Sequence, residues 1–177
     1  MTQTQTPMKR LTLVRHAQAD HNALHDVDRA LTGSGRMDAV QIGKRLQQSG
    51  VRPTLVLCSS ATRARQTWEQ MARAYDSGAE GIQVQFLDLL YGADVQEVLE
   101  LLQGIDEATQ DLLVIGHEPV TSAVTHYLAG PASQDAAALR VRSGMSTATA
   151  ALLSYQGPWQ RLERHGAVLT GLATPRG

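Results

Sequence analysis

"DLLVIGHEPVTSAVTHYLAG" occupies residues 111–130, and its first seven residues decide the fold. The run 111–117, DLLVIGH, is apolar without alternation, the pattern of a strand covered on both faces. Residues 118–130 continue as a helix, with Pro119 suited to the first turn. A covered strand feeding directly into a helix is the repeating unit of an α/β sandwich with a largely parallel sheet.

The same unit recurs in both directions. LTLVRH (11–16) reads as a strand, and TGSGRMDAVQIGKRLQQSG (32–50) as a helix. Thr32 is its N-cap and Gly50 its stop. TLVLCSS (54–60) is a second buried strand. ATRARQTWEQMARAYD (61–76) is helical, with Ala64, Trp68, Met71 and Tyr75 on one face. IQVQFL (82–87) alternates like a strand, and DVQEVLELLQG (94–104) is an amphipathic helix. STATAALLSY (146–155) and WQRLERH (159–165) read as closing strands around a Gly157–Pro158 turn. The expected fold is a three-layer α/β sandwich with a mostly parallel central sheet flanked by helices. It forms one domain over 1–177, with flexible tails at 1–8 and 171–177.

Composition narrows the function. The 177 residues are 42% hydrophobic and carry a formal net charge of −1. No bulk field favours nucleic acid or an anionic membrane. Aromatics make up 4%, too few for a base-stacking platform. The lone cysteine, Cys58, excludes an internal disulfide and fits a reducing compartment. The polar N-terminus has no signal-peptide core, and no apolar run reaches membrane-span length. These features point to a soluble, cytoplasmic protein without nucleic-acid or membrane partners.

Ligands of such sheets sit outside the carboxyl ends of the strands. That edge collects Arg15 and His16 after the first strand and Arg63 and Arg65 after the second. It also collects Asp88 after the third and His117 after the fourth. Arginines match phosphate oxygens with paired donors. A neutral imidazole is a nucleophile toward phosphorus, and nearby positive charge keeps it neutral. A second, protonated histidine stabilises charge on the transferring group, and a carboxyl group protonates the leaving oxygen. The set suits phosphoryl transfer through a phosphohistidine, without a metal or other cofactor. Taken singly, each member reads as an ordinary surface or turn residue; the weight lies in their convergence.

These residues also stand in a known order. The chain resembles the histidine phosphatase superfamily, which includes phosphoglycerate mutases and bacterial phosphohistidine phosphatases. LVRHA at 13–17 is similar to the family's strand–Arg–His–Gly, with Ala17 in the glycine's place. The resemblance implies a phosphoglycerate mutase-like fold, His16 as the phosphorylated nucleophile and Arg15 as a phosphate ligand. QADHN (18–22) implies Asn22 as a further phosphate contact. LTGSGRMDA (31–39) resembles a structural helix start. SSATRARQT (59–67) implies Arg63, rather than Arg65, as the second phosphate arginine. VIGHEP (114–119) implies His117 as the transition-state histidine. LDLLYG (87–92) places Asp88 four residues before Gly92, where relatives carry their general acid.

Ala17 is expected to crowd the backbone beside the phosphate. Only 28 residues separate Asp88 from His117, too few for the mutases' capping insertion, so the site should be open. An open site favours hydrolysis over mutase chemistry. The expected substrate is a phosphorylated small molecule or a phosphohistidine protein. Two other readings stand beside this one. A non-hydrolytic phosphate- or phosphohistidine-binding module would use the same residues. A metal-dependent hydrolase would use His21 and His25 with Asp20, Asp26 and Asp28. Arg140 and Arg142, in the expected rim loop 131–145, favour extra negative charge on the substrate or simply face solvent.

Overall fold

The computed structural model describes residues 6–75 and 80–177. Residues 1–5 of the expected N-terminal tail, and Asp76 at the end of the expected second helix, lie outside them. One six-stranded sheet runs through the molecule in the order β3-β2-β4-β1-β5-β6. Its strands are β1 (Met8–Arg15), β2 (Leu55–Ser59), β3 (Gln83–Leu87), β4 (Asp111–Gly116), β5 (Ala150–Gln156) and β6 (Val168–Ala173). Strands β1 to β4 pair in parallel, whereas β5 and β6 run antiparallel. Helices cover both faces, so the α/β three-layer architecture is the one the sequence pattern predicts.

Helices α1 (Gly33–Gln48) and α2 (Thr62–Ala72) close one face. Their apolar sides join Val14, Val56, Leu113 and Ile115 in one core cluster. Helices α3 (Leu89–Gly92), α4 (Val95–Gln103), α5 (Val120–Leu128) and α6 (Asp135–Arg142) belong to the other side. There Leu13, Leu57, Val114 and Leu153 face Leu102, Val124 and Trp159. Strands buried on both faces carry no alternation, which is why 111–116 reads as one apolar run.

The helix starts follow local chemistry. Thr32 accepts a hydrogen bond from Gly35 N, capping α1. Asp94 and Glu97 form a reciprocal capping box at α4. Gly35 also has a packing role. A Cβ there would stand 2.1 Å from the Gln18 carbonyl oxygen, so only glycine lets α1 approach the loop after β1. Gly35→Ala is therefore expected to cost about 1–3 kcal/mol or more by overpacking against backbone. It should also lower activity by shifting residues 17–19. Chemical denaturation and steady-state rates of the variant check both effects.

Three expectations change. Residues 159–165 do not form a strand. Trp159 is fully buried and donates from Nε1 to the Thr109 carbonyl at 2.9 Å, and 159–161 wind as a 3-10 turn around it. The closing strand lies later, so 171–173 form ladder pairs in β6 rather than a loose tail. Beyond it, Arg45 Nε donates to the Pro175 carbonyl at 3.3 Å, and Arg176 pairs with Asp38 at 3.5 Å. At the other end, Met8 already pairs with Gln156 in β1. Finally, 131–145 is not simply a rim loop: it contains α6, which buries Ala137 and Val141.

Candidate active site

The register of the parallel strands builds the site. Arg15 of β1 lies level with Gly116 of β4, and Cys58 of β2 with Ile115. His16 and His117 are thus the first residues past the ends of adjacent strands. Their ring centroids stand 5.1 Å apart, close to the roughly 4.8 Å spacing of neighbouring strands. Arg63 reaches the same place from the first turn of α2, just after β2. Arg15, His16, Arg63 and His117 together line one cavity of about 380 Å³.

A hydrogen bond fixes the proton on the His16 ring. His16 Nδ1 lies 2.7 Å from the Ala17 carbonyl oxygen, which can only accept, so Nδ1 carries the proton. Nε2 is left with its lone pair and accepts from Arg63 Nε at 3.3 Å. On the second ring, His117 Nε2 lies 2.7 Å from the Ser59 hydroxyl. That hydroxyl also accepts from Ala61 N at 3.3 Å, and its proton and second lone pair let it meet His117 Nε2 as donor or acceptor. His117 Nδ1 is buried without an internal partner, as is Arg15 Nε. Both atoms belong to residues that line the cavity.

Burial depresses both histidines. Desolvation lowers His16 to about 3; its bond to Ala17 opposes this, and the charges of His117, Arg63 and Arg15 add to it. Desolvation, then Arg63, lowers His117 to about 4, with Asp26 acting in the opposite sense. Both shifts favour neutral rings at pH 7 before a substrate binds, so the protonated second histidine expected from the sequence depends on the bound anion. Below about pH 6.5 an unfolded histidine takes up a proton that the folded one refuses. Stability is therefore intact above pH 6.5 and is lost as pH falls toward 4. The slope is about 1.4 kcal/mol per pH unit for each histidine. Thermal unfolding between pH 7 and 4 measures it, and His16→Asn should remove about half the slope.

The structure adds residues that sequence reading missed. Asp26 grips the outer edge of Arg63: NH1 donates to its carbonyl at 2.8 Å and NH2 to its carboxylate at 3.1 Å. Tyr91 donates its hydroxyl to the same carboxylate at 2.7 Å. Bonds from Tyr91 and Arg29 hold the Asp26 carboxyl far below the usual carboxylate range, and Arg63 adds to them. With its outer edge occupied, Arg63 turns the remaining Nε–H toward His16. On the other side, Arg15 NH1 donates to the Met145 carbonyl at 2.8 Å. Nothing in the sequence separates Asp26 from Asp20 and Asp28, and no short-range pattern connects it to Arg63.

Other expected members are not brought in. Asp88 is exposed beside α3, and its side chain lines neither this cavity nor the one beside it. Asn22 is exposed, with its backbone N–H turned onto the Asp20 side chain. Arg65 donates to the Ser60 carbonyl and stacks over Phe86 at 4.1 Å. Arg140 and Arg142 end α6 and line other depressions. His21 does line the cavity, resting against Arg29, but among the described residues no three His, Cys, Asp or Glu side chains gather to hold a metal. Among them, too, no helix is long and apolar enough to cross a membrane.

Ala17 departs from the expectation in an instructive way. It is fully buried, and its methyl joins the core cluster with Val14 and Ile42. Its N–H donates to the Thr67 hydroxyl at 3.0 Å while its carbonyl holds His16. The extra carbon packs inward instead of crowding the cavity.

Comparison with known proteins agrees with this geometry. Residues 11–91 match the model of the histidine phosphatase superfamily, branch 1. An uncharacterised protein of Mycobacterium leprae is 34% identical over 170 residues, spanning 92% of this chain and 100% of the relative. The chain belongs to the histidine phosphatase superfamily. Among solved members, the candidate phosphohistidine phosphatase SixA of Nakamurella multipartitia superposes with a TM-score of 0.80 at 32% identity. That match covers 98% of this chain and 99% of the other. The protein histidine phosphatase SixA bound to tungstate shares the fold, with a TM-score of 0.75 at 22% identity over 94% and 97% of the two chains.

Proposed function

We propose that this histidine phosphatase hydrolyses phosphohistidine in a protein, through a covalent phosphohistidine of its own on His16 and without a metal. The observation that supports it most is the unprotonated Nε2 of His16 beside Arg63 in a cavity shared with Arg15 and His117. His16 Nε2 attacks phosphorus, and the bond from phosphorus to the leaving nitrogen breaks. The electron pair stays on the leaving imidazole, which takes a proton from solvent. Water then attacks the phosphoryl group, His16 Nε2 departs with its electron pair, and inorganic phosphate is released. Arg15, Arg63 and His117 supply donors to the equatorial oxygens. The dianionic phosphoryl group raises the affinity of His117 for a second proton, so it takes up charge only with substrate present.

The choice of phosphohistidine rests on how the carboxyl groups near the cavity are engaged: Glu118 lines it, but its carboxylate accepts from Ser122 N and from the Ser122 hydroxyl. The one carboxyl group expected for that role, Asp88, is exposed and outside the cavity. Asp26, beside Arg63, is held ionised and cannot donate. A site so built suits a labile P–N bond, whose leaving group needs little help, better than an alkyl phosphate. The SixA similarity supports the same substrate class.

A substrate panel in chelator tests the proposal. A phosphohistidine peptide and an activated aryl phosphate should both turn over. A phosphoserine peptide should be slower by about 100-fold or more, since general acid catalysis contributes about 10²–10⁴-fold. Asp88→Asn should change none of these rates by more than about twofold. Chelator-sensitive activity, or phosphoserine turned over as fast as phosphohistidine, would contradict it.

A further inference from the structure

A second cavity, of about 240 Å³, adjoins the first: His117 and Glu118 line both. Its remaining wall comes from the core side of the sheet and from α3, α4 and α5. Leu13, Leu90, Ala93, Val98, Val114 and Val124 supply apolar surface. Apart from His117 Nδ1, the polar side-chain groups around it are engaged. Thr121 Oγ1 donates to the His117 carbonyl at 2.9 Å. The Glu118 carboxylate accepts from Ser122 N at 3.0 Å and from the Ser122 hydroxyl at 2.5 Å. The Tyr91 hydroxyl is turned away onto Asp26. The chamber therefore presents hydrocarbon and aromatic surface with few free donors or acceptors.

Empty apolar space costs stability in proportion to its volume. A dry cavity of roughly 150 Å³ is enough to hold a benzene ring. This chamber is larger, partly open, and separated from the phosphate cavity by the His117–Glu118 segment. We infer that it is a specificity subsite that takes a ring-sized apolar group carried on the leaving side of the phosphoryl group. On a phosphohistidine protein, that group is an apolar side chain next to the phosphohistidine. The inference deepens the phosphatase reading and rests on it for the position of the anion.

Non-hydrolysable phosphonates test the chamber independently of turnover. Calorimetry should show benzylphosphonate binding wild type about tenfold or more tightly than methylphosphonate. Ala93→Leu and Val124→Phe, which fill the chamber from different walls, should abolish that preference while leaving methylphosphonate within about twofold. Thermal unfolding identifies either variant that is misfolded, and the other then carries the test. Equal affinities in wild type, or a preference that survives both variants, would overturn the subsite. Arg63→Ala reads the anion end: it should weaken both phosphonates alike. No weakening there would strike at the phosphatase reading, while the benzyl preference still reports on the chamber.

Discussion

His16→Ala is expected to lower kcat by a factor on the order of 10⁴ or more, the scale seen when a covalent nucleophile is removed. The expectation follows from proton placement. The Ala17 carbonyl holds the ring proton on Nδ1, so Nε2 meets the phosphoryl group as a lone pair at every pH above about 4. No other described group in the cavity is held in the same way: His21, which also lines it, is exposed and has its Nδ1 against Arg29. His117 Nε2 is engaged by Ser59, and the arginines carry no lone pair. The substitution should leave the fold intact, because the backbone bond from His16 N to the Gly116 carbonyl at 3.1 Å does not depend on the side chain. It should also flatten the acid-induced loss of stability, since a buried group that resists protonation is gone. Stopped turnover with a preserved unfolding midpoint at pH 7 separates loss of chemistry from loss of structure.

Arg63→Ala should reduce kcat/KM by about 10²–10³, the scale of a missing oxyanion donor. Arg63 is buried, and its guanidinium acts on two fronts. The outer edge is held by Asp26 and the Nε edge faces His16. Arg63→Lys should recover little, because an ammonium cannot hold both directions in one plane. Asp26→Ala should fall between wild type and Arg63→Ala, with the loss mainly in kcat/KM for substrates of every leaving group. Rates for this set with one phosphohistidine peptide and one aryl phosphate give the ranking. An Asp26→Ala enzyme as fast as wild type would mean that Arg63 needs no orienting partner.

The reading of the sequence succeeded where function depends on strand ends. In "LTLVRH" and "DLLVIGH" the apolar runs identify buried parallel strands, and the parallel register then brings His16 and His117 together. Arg63 follows because a helix begins directly after β2. What escaped depends on contacts between distant segments. Asp26 meets Arg63 across 37 positions and Tyr91 across 65, and no periodicity records such a meeting. Ser59 sits at the end of a buried run, where its hydroxyl looks like any strand terminus until His117 is placed beside it. The closing strand was misplaced for a different reason. Trp159 looks like a strand residue by propensity, but its indole fills the core end-on and bonds Thr109, which turns the chain. Ala17, the break in the motif, proved compatible because its methyl points into the core formed with α1.

The central claim is a covalent intermediate on one nitrogen of one residue. Rapid-quench labelling with a ³²P-phosphohistidine peptide, followed by mass-spectrometric mapping under alkaline conditions, tests it most directly. The result predicted here is an acid-labile, alkali-stable phosphoryl group on His16, carried on Nε2, that forms and decays within a single turnover. A phosphoryl group mapped to another residue, or turnover that persists in His16→Ala, would contradict the account.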